Sequence, residues 1–154
     1  MIYRFGITTT TDYTKASPKK TILPLTKGSV HQLDVVFPPG CAGTLHVIVR
    51  DALHQVWPTN PDQSFAADGT TISFKESLDL DFEPFELQVY TWLENATYQH
   101  TCIVRVGILP FWVMNPWVDV LDEIRTLIAV LQTSPEPKYG DYTKAQLMRI
   151  LPGG

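Results

Sequence analysis

Apolar and polar residues alternate along much of the first 109 positions, whereas beyond residue 115 the apolar residues recur at three- and four-residue steps. A period of two marks a strand with one buried face, and a period near 3.6 marks a helix. In "SVHQLDVVF" the alternation places Val30, Gln32, Asp34 and Val36 on one face and His31, Leu33, Val35 and Phe37 on the other. "TLHVIVRD" turns Leu45, Val47 and Val49 inward and His46, Ile48 and Arg50 outward. "FELQVYTWLE" sets Phe85, Leu87, Val89 and Thr91 against Glu86, Gln88, Tyr90 and Trp92, and "TYQHTCIVRVGIL" groups Tyr98, His100, Cys102, Val104 and Val106. Ile72 and Phe74 share a face in "TISFKESLDL".

Turn chemistry separates these runs: Lys27-Gly28, "PPGCAG", Asp68-Gly69 and Glu94-Asn95-Ala96. Such sequences supply left-handed backbone or local side-chain hydrogen bonds. Pro24 makes "TILPLT" an edge strand or an extended lead-in. Residues 1–20 hold Ile2, Phe5 and Ile7 followed by four threonines, which reads as an amino-terminal arm or edge strand. Six or seven strands spaced about 10 to 15 residues apart, without helices between them, predict an antiparallel β-sandwich, jelly-roll or Ig-like, over residues 21–109. A parallel sheet would need crossover helices.

The remaining chain has a different plan. Asn115 suits a helix cap and Pro116 the first helical position, and Asp119, Asp122 and Glu123 place negative charge where the helix dipole favours it. Trp117, Val120, Leu121, Ile124, Leu127, Ile128 and Leu131 then form one apolar stripe, so residues 110–132 read as an aromatic junction and an amphipathic helix. The stripe must either dock on its own sandwich or meet copies of itself. "TSPEPKYGDY" has linker composition, and Thr143 with Gln146 resembles a capping box, so 133–154 reads as a linker and a carboxy-terminal anchor.

Composition narrows the picture further. With 154 residues, 44% of them hydrophobic and 18% charged, the chain is long enough for a sizeable core and poor in surface charge. The net charge of −4 offers no broad basic footprint, so no direct nucleic-acid contact is expected. Lys15, Lys19, Lys20 and Lys27 cluster near the amino end and read as a solvated arm or edge-strand guard. No apolar run is long enough for a membrane span and no signal layout opens the chain, so a cytoplasmic site of synthesis is expected. Cys41 and Cys102 lie far apart in no ligand spacing and are expected to be free thiols.

Catalytic patterns are sparse. No nucleophile elbow, phosphate loop or dinucleotide fingerprint occurs, and no catalytic residue, metal site or cofactor is expected. His31, His46, His54 and His100 have no ligand spacing, and the acidic run holding Asp79, Asp81, Glu83 and Glu86 reads as a solvated edge. The turn-rich stretch "HQVWPTNPDQSF" is the candidate ligand loop, through His54, Trp57, Asn60 and Asp62, although Trp57 reads first as a seal at one end of the sandwich. "GILPFWVMNPW" concentrates aromatic and sulfur-bearing side chains of the kind enriched at interface centres. The expected interface comprises Phe111, Trp112, Met114 and Trp117, then Leu121, Ile124, Ile128 and Leu131, with Leu147 and Ile150 in the anchor.

"FPPGCAGTLHVIV", "HQVWPTNPDQSF" and "YTWLENATYQH" together resemble small β-sandwich structural proteins of tailed bacteriophage virions, over roughly residues 20 to 107. The resemblance implies a subunit of a capsid surface, vertex, neck or tail whose arms clasp neighbours. The expected role is a non-enzymatic, homo-oligomeric structural protein of the virion, contacting other structural subunits. A carbohydrate- or receptor-binding sandwich is the alternative, with a glycan or receptor as partner.

Overall fold

The computed structural model describes residues 1–114 and 116–133, the side chains of 118, 119 and 133 excepted. In chain order the strands are β1 (Ile2–Thr9), β2 (Lys19–Pro24), β3 (Gly28–Val36), β4 (Leu45–Asp51), β5 (His54–Trp57), β6 (Phe65–Ala66), β7 (Thr71–Phe74), β8 (Leu78–Leu80), β9 (Glu86–Leu93) and β10 (His100–Leu109). Helices α1 (Phe111–Met114) and α2 (Trp117–Thr133) follow. The chain divides into two compact units after Asn115.

The first unit is an antiparallel β-sandwich, as the alternation predicts. One sheet has the order β1-β10-β3-β7, with β8 also paired to β3; the other has the order β2-β9-β4-β5, with β6 also paired to β4. Pro24 is the last residue of β2, which lies at the edge of its sheet, where a missing amide donor costs least. The amino-terminal stretch is an edge strand: β1 pairs with β10 along its whole length, from Ile2 opposite Gly107 to Thr9 opposite His100.

Between the sheets the inward positions form one core. Leu33 and Val35 of β3 and Val104 and Val106 of β10 face Val47 and Val49 of β4 and Leu87 and Val89 of β9, all fully buried. Each such side chain contributes about 1.5–3 kcal/mol relative to exposure. Thr9 and Thr91 are buried between the two sheets and share a hydroxyl hydrogen bond of 2.7 Å, which satisfies both without water. Cys41 and Cys102 are buried free thiols, and burial, the largest cause, pushes the Cys102 thiol up to about 12.

One predicted face is corrected by a bulge. The strict alternation groups Val30 with Gln32 and Asp34, yet Val30 is fully buried with Leu33 and Val35. Gly107 pairs with Gln32 and Ile108 with Val30, leaving His31 as an extra residue in β3. One extra residue inverts the side-chain parity of everything beyond it. At the start of β3 the chains come too close for a side chain: a Cβ on Gly28, at φ +151°, would lie 2.6 Å from Ile108 Cγ2 and 2.7 Å from the Leu109 carbonyl oxygen.

The described part of the second unit is α2, whose bounds agree with the 3.6-residue pattern. Asn115, expected as its cap, lies outside the described residues, as do the linker, Leu147 and Ile150. No described helix is long and apolar enough to cross a membrane.

Candidate functional site

Two regions carry the residues singled out from the sequence: the loop between β5 and β6, and the apolar stripe of α2. The loop is organised by a bulge in β5, where Val56 is the extra residue and the residues on either side of it face opposite ways. Trp57 pairs with Val49 and points into the core, 4% exposed, while Gln55 pairs with Arg50 and points to the outer face. The Trp57 ring meets Phe74 of the opposite sheet edge-on, with centroids 5.9 Å apart, and Phe65 packs against the Phe74 ring at 5.7 Å. Trp57 therefore seals the sandwich, and the ligand-loop role considered for it is closed to a side chain aimed at the core.

Outside the sheet, the Gln55 side-chain amide holds the loop together. Its Nε2 donates to the carbonyl oxygens of Pro58 at 2.7 Å, Asn60 at 3.1 Å and Gln63 at 3.1 Å. Backbone acceptors that would otherwise rely on solvent converge on one donor group. A second tether joins Ser64 Oγ and His46 Nδ1 at 2.9 Å.

The sheet surface under this loop is made by outward residues of β4 and β9. His46 stacks on Trp92 with centroids 5.2 Å apart, and the Trp92 indole nitrogen donates to Glu94 at 2.9 Å. Burial holds the His46 imidazole below its ordinary value, opposed by the Glu94 carboxylate 3.7 Å away. The Trp92 hydrogen bond lowers the Glu94 carboxyl in turn. Arg50 lies over the Tyr90 ring, 4.8 Å from its centroid, a cation–π placement. Its Nε is shielded from solvent without a hydrogen-bond partner.

Two cavities of about 150 and 270 Å³ share Arg50, Gln55 and Asp62 in their walls. Lys15, Pro18 and Trp92 complete the first, and Leu53, His54 and Pro61 belong to the second. Of the candidate ligand residues, His54 and Asp62 thus border a cavity, while Asn60 contributes its carbonyl to the Gln55 fan. Arg50, Gln55 and Tyr90 carry no site signal in the sequence, and Lys15 only that of a solvated amino-terminal cluster. For Arg50 and Tyr90 the one legible signal is outward parity on β4 and β9, whereas Gln55 shares the parity of the inward Trp57 and turns outward only through the bulge; which strands adjoin is a tertiary fact.

Elsewhere two of the histidines pack against aromatic rings, and five acidic residues border one cavity. His46 packs on Trp92 and His100 against Tyr98 at 4.8 Å, and no group of three or more metal-type ligands occurs among the described residues. Asp79, Asp81, Glu83 and Glu86 border one cavity of about 220 Å³ together with Asp51, and Asp79 accepts a 2.5 Å hydrogen bond from Ser29.

The expected interface residues divide by exposure. Phe111 and Met114 of α1 are half-buried, and Trp112 is exposed. On α2, Trp117, Val120, Leu121, Ile124, Leu127, Ile128 and Leu131 are 43 to 73% exposed. Such a contiguous apolar stripe is unusual on a protein surface.

Comparison with known proteins finds no matching family model, no matching curated protein and no matching solved structure.

Proposed function

We propose that the chain is a non-catalytic structural subunit of a symmetric assembly, held together in part by α2 packing against α2 helices of further copies. The observation that carries this reading is the exposed stripe of seven apolar side chains from Trp117 to Leu131. Its occupant follows from its width. The residues fall at three positions of each seven, broader than the two-position seam of a two-stranded coiled coil and suited to a bundle of three or more helices. Like most protein helices, α2 draws its stability chiefly from packing of its amphipathic face rather than from helix propensity. Burying large apolar side chains at about 1.5–3 kcal/mol each supplies a drive of the order that association requires. The resemblance over residues 20 to 107 supports placing this assembly in a bacteriophage virion, at a capsid surface, vertex, neck or tail.

Native mass spectrometry of the full chain tests the proposal. The expected result is one closed oligomer of three or more copies, reduced to monomer by Ile124→Asp with the sandwich intact. A wild-type monomer at tens of micromolar overturns it. A second reading, a glycan- or receptor-binding sandwich, is favoured by the paired cavities around Arg50.

A further inference from the structure

The geometry points to a binding site for a carboxylate-bearing sugar on the outer face of the second sheet, with Arg50 as its anion anchor. This inference rests on the glycan-binding reading and gives it a ligand class; every residue involved lies in the first unit, so it is independent of how α2 assembles.

Arg50 carries the argument. Its guanidinium is held over Tyr90, its Nε is shielded, and among the described residues no hydrogen bond or carboxylate within salt-bridge distance pairs with it. By contrast Arg105, outward on the other sheet, has Asp34 at 3.9 Å. A half-buried guanidinium with unused donors is a ready partner for a carboxylate, whose two oxygens match the planar fork. Lys15 borders the first cavity and supplies a second positive charge.

The rest of the wall specifies more than an anion. All three carbonyl contacts of Gln55 use its Nε2, so its Oε1 remains as an acceptor, and the Asp62 carboxylate is a second acceptor bordering both cavities. These groups call for hydroxyl donors on the ligand. Pro18, Leu53 and Pro61 offer apolar surface for the carbon face of a ring. A carboxylate, several hydroxyl donors and a compact ring coexist in a hexuronic or similar acidic sugar. Inorganic phosphate could meet Arg50, but it has no carbon ring for Pro18, Leu53 and Pro61 and no array of hydroxyl donors for Gln55 and Asp62. At about 150 and 270 Å³ each cavity lies below the range of about 300–1,000 Å³ usual for drug-sized ligands, which favours a compact ligand of one ring.

The test is an NMR titration of the isotopically labelled full chain with D-glucuronate, D-glucose and acetate in parallel. Saturable shifts confined to Arg50, the Gln55 side-chain amide and residues 59–63 are expected with glucuronate, with affinity at least tenfold weaker for glucose and acetate. Arg50→Lys keeps the charge and loses the fork, and is expected to weaken glucuronate binding about tenfold in a protein with an unchanged spectrum elsewhere. An equal response to acetate shows an adventitious anion only and overturns the site. An equal response to glucose overturns the acidic-sugar assignment while leaving the glycan-binding reading in place, and silence with all three removes both. Should Arg50→Lys fail to fold, Lys15→Glu on the exposed segment decides: undiminished glucuronate affinity overturns the proposal.

Discussion

Trp57 and Phe74 come from opposite sheets, and their rings meet edge to face at 63° with centroids 5.9 Å apart. The contact joins β5, a short strand at the end of the β2-β9-β4-β5 sheet, to β7 at the end of the β1-β10-β3-β7 sheet. Edge-to-face pairs contribute about 0.5–1.5 kcal/mol beyond the area they bury. Trp57→Ala, which also opens a cavity, is expected to cost about 3–5 kcal/mol. Trp57→Phe should cost substantially less. Urea midpoints for the two variants check this order; equal losses would show that the ring pair is not what closes this end.

Gln55 predicts a different kind of effect. Gln55→Leu removes the donor shared by three loop carbonyls, each hydrogen bond contributing about 0.5–1.5 kcal/mol net. The expected loss of stability is about 1–3 kcal/mol, with faster hydrogen exchange confined to residues 58–64. Gln55→Glu should be worse, because a carboxylate would face three carbonyl oxygens. Exchange rates that rise equally throughout the sandwich would contradict the local role.

Asp34 sets part of the acid limit of stability. The Ser73 hydroxyl donates to it at 2.6 Å and the Gln32 amide at 3.1 Å, with Arg105 at 3.9 Å, and these hold its carboxyl below the usual 3.8 against the opposing effect of burial. The native state then binds fewer protons than the unfolded state. Stability from this group is fully present above the unfolded value and is lost as pH falls through the depressed native one. Asp34→Asn should cost about 1–2 kcal/mol at neutral pH and flatten the decline below pH 4, because hydrogen bonds to a charged acceptor are the stronger ones. Denaturant titrations at several pH values read both.

His46 acts at higher pH with the same sign. Burial, and then Lys15, lower its imidazole from 6.5, while Glu94 raises it. The unfolded state therefore takes up the proton first, so stability is complete above about 6.5 and falls as pH drops toward the native value. His46→Phe, which keeps a ring on Trp92, should remove this part of the slope between pH 7 and 5. An unchanged slope would place the proton uptake elsewhere.

Gly28 tests the bulged end of β3. Gly28→Ala forces a Cβ against Ile108 and the Leu109 carbonyl in a backbone conformation that side chains rarely adopt. A loss of about 1–3 kcal/mol is expected, typical of overpacking. Thermal unfolding of the variant measures it; a neutral result would mean that the β3–β10 contact relaxes freely.

Period-two alternation alone was enough for the sandwich and for the buried faces of β4, β9 and β10, because a strand with one face in water writes that face into every second residue. The same logic, at period 3.6, located α2 and its stripe. Three features needed the tertiary structure. The burial of Val30 depends on a bulge that exists only where β3 meets β10, so no local pattern announces it. Ile48 and Trp92 are outward by parity yet buried, and the cavity they border is completed by Lys15, Pro18 and Gln63, residues remote from both strands in sequence. The grouping of Arg50, Gln55, Tyr90 and Asp62 likewise arises from strand adjacency and from a loop folded by one amide. Between bulges, alternation tells each residue which side of its own strand it occupies; only the pairing of strands places the bulges and decides which residues share a side.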